Sequence, residues 1–422
     1  MAHTVNLLRL SCATVLIAAA SIAACASSST GVVPNFGDPA TIPATSAIAI
    51  SNVHVVSMVN DRRTDDQTVV VRDGRIASIE PAASATIPPD AMVIDGRGRV
   101  LMPALIDMHV HLRRAELASY LKTGVTTVRN MWGHPEIATY RRGIEDGTLN
   151  GPTIHSLSNG FDANPPQWPY TRLVLDAREA DDAVDAAIAD GWTTIKVYQR
   201  LSLEVYDSIV AATRKRGIAF AGHVPTAVTV EHAIDAGQRS IEHLGGYDRA
   251  VTRRGGGGTF AWVDVDPARF GALAQRTYQA GTWNCPTLAI FARIAEQQHS
   301  PAERAAILTN RRRLVYELAR TGARLIAGTD AGIDVVYANA IHDELREFVA
   351  AGLTPYRALR AATIDAAEYL SVPGLGTVTV GAPAELLLLD GDPLASIDNT
   401  RRLRGLVVRG TWYSADALGA LR

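Results

Sequence analysis

The sequence predicts an α/β protein: a (β/α)8 barrel, the TIM-barrel architecture, with a small β-sandwich domain built from both chain ends. Three observations predict it. Over residues 100–371, short apolar strands alternate with helical stretches eight times, which favours a closed barrel over an open doubly wound sheet. Residues 47–99 read instead as strands and tight turns. "AIAISNVHVVS", "TVVVRDGRIASIE" and "MVIDGRGRVLMP" are β-branched and punctuated by Asp-Gly and Gly-Arg-Gly. The same character returns over residues 372–422 in "LGTVTVGAPAELLLLDGDP" and "LRGLVVRGTWY", so the two ends are expected to pair beside the barrel.

At the N-terminus, Arg9 precedes an apolar run, Leu10 to Ala24, too short to span a membrane comfortably. It reads as the hydrophobic part of a secretory signal over residues 1–25. "IAAC", Ile22 to Cys25, resembles the lipobox of bacterial lipoproteins, which implies lipidation at Cys25. A Ser-, Thr-, Pro- and Gly-rich stretch over 26–46 follows as a flexible tether. The expectation is an exported, lipid-anchored protein of the cell envelope, on the periplasmic side, touching membrane only through that lipid.

Composition narrows the function. Hydrophobic residues make up 47% of 422 and charged residues 20%, as in a globular chain. Lys and Arg number 41 against 43 Asp and Glu, which gives no electrostatic case for nucleic acid. The runs Arg253-Arg254 and Arg311-Arg312-Arg313 read as solvated faces. Of three cysteines, Cys12 lies in the signal and Cys25 is the expected lipid site, so only Cys285 would remain in the folded domain and no internal disulfide is available. In the apolar run "TWNCPTL" it reads as a buried, inert thiol.

The barrel strands follow in order. "LMPALIDMHVHL" opens the series, then "GVTTVRNM", "GPTIHSLS", "WTTIKVY", "GIAFAGHV", "RSIEHL", "TWNCPTL" and "ARLIAGTDAG". Between them lie helical stretches such as "SLEVYDSIVAATRKRG" and "PAERAAILTNRRRLVYELARTG", each closing on a glycine. No G-x-G-x-x-G follows a strand, and "GGGG" at 255–258 reads as a loop.

Reactive groups in such a barrel stand at the C-terminal ends of the strands. Alternate strand residues face one side, so His109 and His111 can converge on one point. Lys196, His223, His243 and Asp330 fall at the ends of later strands. Histidine and carboxylate suit zinc or a similar divalent ion. A lysine ammonium cannot ligate, but a lysine carbamylated by CO2 is an anion with two oxygens able to bridge two ions.

These motifs, with "AGHVPT" and "IAGTDAG" in the same order, resemble the amidohydrolase superfamily, in its binuclear, carboxylated-lysine branch. The return strand matches as well, except that Ala384-Glu385 stands where family members usually have Ala-Asp. The resemblance implies that His109, His111 and Asp330 bind the more buried ion. His223 and His243 would bind the second, with carbamylated Lys196 bridging two divalent ions, zinc by expectation. It implies attack by a hydroxide shared between the ions, with Asp330 as general base and then acid. Other readings stay open: Lys196 as a plain salt-bridging lysine, His243 as a supporting residue, and Asp107 as either a support of the site or a structural carboxylate.

The motifs look most like the prolidases, Xaa-Arg or -Lys carboxypeptidases, imidazolonepropionase-like enzymes and ochratoxin-hydrolysing amidohydrolases. The expected substrate is therefore a small molecule, a dipeptide or N-acyl amino acid, ochratoxin-type phenylalanine amides included. Candidate substrate contacts are His134, His155, Tyr198, Arg129 and Trp132, with Phe161, Trp168, Tyr170 and Arg200 as further pocket material. Alternatives are a cyclic amidase, a lactonase or a phosphotriesterase. A lipid-tethered binding protein without chemistry is disfavoured by the intact ligand set. A homo-oligomer is left open.

Overall fold

The barrel is built from eight parallel strands in chain order. They are Leu105–Val110, Val125–Asn130, a third in two pieces, Thr194–Val197, Ala219–Gly222, Ser240–Glu242, Trp283–Cys285 and Arg324–Leu325. The third strand is broken: Thr153–Ser156 pairs with the second strand and Gly160–Asp162 with the fourth. Closure runs from the first strand to the eighth through the Val110–Ala331 bridge and the Met108 N–H to Ala327 carbonyl bond of 2.9 Å. The computed structural model describes residues 41–43, 46–332 and 340–422. The expected signal segment, Cys25 and most of the tether lie outside the described residues. Among the described residues no helix is long and apolar enough to cross a membrane.

The helices start and stop where local chemistry dictates. Ser202 caps Leu203–Arg216 by accepting from the Val205 N–H, and Gly217 ends it in the left-handed region at φ 65°. Arg214, Lys215 and Arg216 occupy its last turn, where the helix dipole favours cations. Ser300 and Glu303 form a capping box on Pro301–Thr321. That helix buries Ile307, Arg311, Leu314, Val315 and Leu318, one stripe at helical spacing. Arg311 is therefore not on a solvated face, contrary to the expectation for the arginine run.

The β domain is built from both chain ends, as predicted. Among the described residues its nine strands are hydrogen-bonded in one mostly antiparallel path, with Met92–Asp95 branching from Ile48–Val56, and Ile48, Ile50 and Val69 share a core with Leu386, Val407 and Trp412. The Asp73-Gly74 hairpin turn is as expected, both residues having positive φ (51° and 70°). "LLLL" at Leu386–Leu389 buries both faces. Leu387 and Leu389 join the main core, while Leu386 and Leu388 join a separate cluster with Val53, Val407 and Trp412. This is why the run does not alternate.

Two boundaries move. "LMPALIDMHV" is not one barrel strand: Val100–Pro103 pairs with Leu386–Leu389 in the β domain, and the barrel begins at Leu105. Ala104 donates its N–H to the Glu385 carbonyl, which marks the crossing point. Within the expected tether, Thr41–Ile42 forms a short strand paired with Tyr413 and Trp412.

Candidate metal centre

The four histidines form a chain of rings across the C-terminal mouth of the barrel. Ring centroids lie 5.4 Å apart for His109–His111, 4.5 Å for His109–His243 and 4.7 Å for His223–His243. Asp330 reaches into this chain. Its Oδ1 stands 3.3 Å from His109 Nε2 and 3.0 Å from His111 Nε2, and its Oδ2 is 3.9 Å from His243 Nδ1. Burial alone would raise the Asp330 carboxyl, but the facing His243 and His109 hold it well below the usual carboxylate range. Burial pulls His243 down to about 3 and His223 well below its ordinary value. The rings therefore stay neutral with lone pairs available, as ligation requires.

Local backbone aims these groups. Val110, between the histidines, pairs with Asn130, so His109 and His111 both turn inward. His243 and Asp330 follow the ends of their strands in the left-handed region, at φ 63° and 61°. Side-chain residues seldom adopt that conformation, and such strain concentrates at functional sites. Gly332 is held at φ 99° beside the His111 carbonyl oxygen, 1.7 Å from where a Cβ would stand. Only glycine fits there.

Lys196 projects from the fourth strand into the same interior. It is fully buried, and its Nζ has no hydrogen-bond partner among the described residues. Burial draws the amine down to about 8 against the opposing pull of Glu242 and Asp330. His109 Nε2 and Asp330 Oδ1 are likewise buried without a hydrogen bond. Buried polar atoms are nearly always paired. Three unpaired ones, from imidazole, carboxylate and amine, fit a bound divalent ion.

Glu242 supports this arrangement, and the sequence reading missed it. Its Oε2 is 2.8 Å from His109 Nδ1, while Arg129 Nη2 donates to both of its oxygens at 2.9 Å. Burial opposes the charge on Glu242, but Arg129 and His109 outweigh it and hold the carboxyl low. The His109 ring therefore carries its proton on Nδ1 and presents Nε2 to the site. His109, Glu242 and Cys285 also lie close together, but burial pushes the Cys285 thiol up, which leaves it inert as expected. The signal for Glu242 was present: Ser240 and Glu242 alternate inward along one strand.

Residues 100–413 match the amidohydrolase family. The chain belongs to that family. Adenine deaminase 2 of Bradyrhizobium sp. (strain ORS 278) is 23% identical over 392 residues, covering 87% of this chain and 56% of that protein. The chain thus spans about half the length of that curated relative. Among solved structures, a Xaa-Pro dipeptidase with bound methionine superposes with a TM-score of 0.71 at 22% identity, covering 87% of this chain and all of the other. The ochratoxinase of A. niger has a TM-score of 0.67 at 17% identity, covering 86% of this chain and 95% of the other. At these identities the structural likeness is one of fold.

Within this amidohydrolase barrel the expected substrate contacts divide. Trp132, His134, Trp168 and Tyr170 line a cavity of about 180 Å3 beside His111 and Gly332. Trp168 Nε1 donates to the Tyr198 hydroxyl at 2.7 Å, and the Tyr198 ring lies 4.3 Å from that of His223. Arg129 is corrected: it is buried and committed to Glu242, Ser240 and the Met108 carbonyl. His155 is corrected too, because it lines a hollow with Thr194, Arg239 and Tyr369. Thr194 opens the fourth strand and Arg239 precedes the sixth, so that hollow lies at the opposite mouth of the barrel. Phe161 is core, not pocket. Arg200 lies 3.9 Å from Asp162 and is part-exposed. Asp107 makes no hydrogen bond to a side chain of the candidate ligands; it accepts from Thr329 Oγ1 (2.6 Å) and the His109 N–H (3.2 Å), tying the first strand to the Asp330 turn.

Proposed function

We propose that this protein is a metal-dependent hydrolase of amide bonds, acting on a dipeptide or N-acyl amino acid. The observation that carries the reading is the convergence of His109, His111, His223, His243, Lys196 and Asp330, with buried donor atoms left unpaired. His109, His111 and Asp330 would hold one zinc ion, His223 and His243 a second, and a carbamate on Lys196 would join them. When bound, such ions activate water and polarise a carbonyl oxygen.

The chain's own residues do the rest. Glu242 keeps the proton on His109 Nδ1 and so fixes the ring. Asp330, held anionic, takes the proton of the attacking water and returns it to the leaving amine. The wall of Trp132, Trp168 and Tyr170 offers ring faces to an apolar acyl group.

The test is a metal count and a substrate screen on the full chain prepared with Zn2+ and bicarbonate. Two ions per chain and hydrolysis of dipeptides or N-acyl amino acids are expected, and Asp330→Asn should lower kcat at least about 100-fold. Less than one ion per chain refutes the metal centre. Turnover of lactones, cyclic amides or phosphotriesters alone refutes the substrate class, and full activity in Asp330→Asn refutes its proton transfer.

A further inference from the structure

Two hollows flank the chain of imidazoles, and they differ in chemistry. The one beside His111 is the aromatic slot already described. The other, about 410 Å3, shares His223 and His243 with the metal centre and carries Arg311, Trp262 and Phe291 on its walls. Arg311 is buried there without an ion-pair partner among the described residues. One Nη2 donates to the carbonyls of His243 (2.9 Å) and Pro286 (3.1 Å), and Nε is buried with no hydrogen bond. The guanidinium lies 3.7 Å from the Phe291 ring centre and 5.3 Å from that of Trp262. Burial draws it down to about 9, although Asp248 and Glu344 favour its charge through space.

A buried cation whose contacts are neutral carbonyls and ring faces has no carboxylate in ion-pair contact among the described residues, since Asp248 and Glu344 act on it only through space. A planar guanidinium matches a carboxylate better than any other common anion in a peptide-like substrate. Arg200, named above as pocket material, already has Asp162 within 3.9 Å. We propose that Arg311 anchors the free carboxylate of an N-acyl amino acid whose acyl group occupies the slot beside His111. The inference rests on the amidohydrolase reading and adds the polarity of the substrate across the site. Water would add its oxygen to the acyl carbon as the C–N bond breaks, with its proton passing to the departing nitrogen. The released amino acid would then leave from the Arg311 side.

The test is binding of a non-hydrolysable ligand to the zinc-loaded full chain by titration calorimetry. The ligand is 2-benzyl-4-oxo-4-phenylbutanoate, with CH2 in place of the amide N–H of N-benzoylphenylalanine, and it is compared with its own carboxamide. The acid should bind at least about 10-fold more tightly, as a charge-assisted contact requires. Arg311→Gln should abolish that preference while zinc content and carboxamide affinity hold. Arg311→Lys should restore part of it, and Arg200→Gln should leave it intact. Equal affinity for acid and carboxamide in the unaltered protein overturns the proposal, as does no measurable binding of the acid. Loss of the preference in Arg200→Gln but not Arg311→Gln also overturns it. If Arg311→Gln does not fold, the acid-to-carboxamide ratio in the unaltered protein and in Arg311→Lys decides. None of these outcomes depends on turnover, so they are distinct from failure of the substrate screen.

Discussion

Replacing Glu242 by Gln keeps the outline of the side chain and removes its charge. In the folded protein that charge faces Arg129, which is buried, donates to both carboxylate oxygens at 2.9 Å and has no other acidic partner in contact among the described residues. Removing one member of a buried ion pair costs about 3–5 kcal/mol, because the other charge stays behind unpaired. Gln retains an acceptor for one donor, so the lower end, about 3 kcal/mol, is expected. The same change weakens the hold on His109 Nδ1, and loss of such a support lowers metal affinity about 10–100-fold. Urea unfolding of the metal-free chain reads the first effect, and zinc competition against a chelator reads the second. The double variant Arg129→Met/Glu242→Leu separates them. It removes both charges, so stability should largely return while zinc affinity stays low. Wild-type zinc affinity in Glu242→Gln would refute the orienting role of Glu242, and wild-type stability would refute the ion-pair account.

Three further outcomes follow from other parts of the molecule. Burial pushes the Glu385 carboxyl up to about 7, above its ordinary 4.3 or so. It therefore favours folding only while protonated: the contribution is whole below about pH 4.3 and lost as pH rises to 7, about 4 kcal/mol in all. Glu385→Gln should flatten this slope and exceed the unaltered protein in stability at pH 8, as thermal melts across pH 4–8 would show. A Cβ at position 332 would collide with the His111 carbonyl at 1.7 Å, so Gly332→Ala should lower both the melting temperature and the zinc content. For the lipid anchor expected at Cys25, Cys25→Ala should shift the protein from the membrane to the soluble fraction. An unchanged distribution would refute lipidation there.

The candidate ligands were legible because each is a local fact: an imidazole, carboxylate or amine near the point where a strand runs out. His109, His111, Lys196, His223, His243 and Asp330 needed only strand periodicity and the order of the motifs. The strands themselves were legible for the same reason, apart from the break in the third and the split at Ala104, where one apolar run serves two sheets. Arg129, Glu242 and Arg311 were misread or passed over because their roles depend on partners far along the chain. Arg129 and Glu242 are 113 positions apart, and Arg311 meets the His243 carbonyl across 68. A helical-period check would have placed Arg311 on the buried stripe with Ile307 and Leu314, but not beside the metal centre.

Taken alone, the amino-acid sequence determined the alternation that makes a barrel and the chemistry available at its mouth. Both follow from short-range geometry, a strand's two-residue period and a helix's 3.6. Only the tertiary structure decided which charges face each other in the dry interior. There Glu242 orients His109 because Arg129 neutralises it, and Arg311, beside His243, has no carboxylate in ion-pair contact among the described residues. Such pairings are set by closure of the barrel, which brings distant strands within hydrogen-bond reach and excludes the water that would otherwise satisfy them.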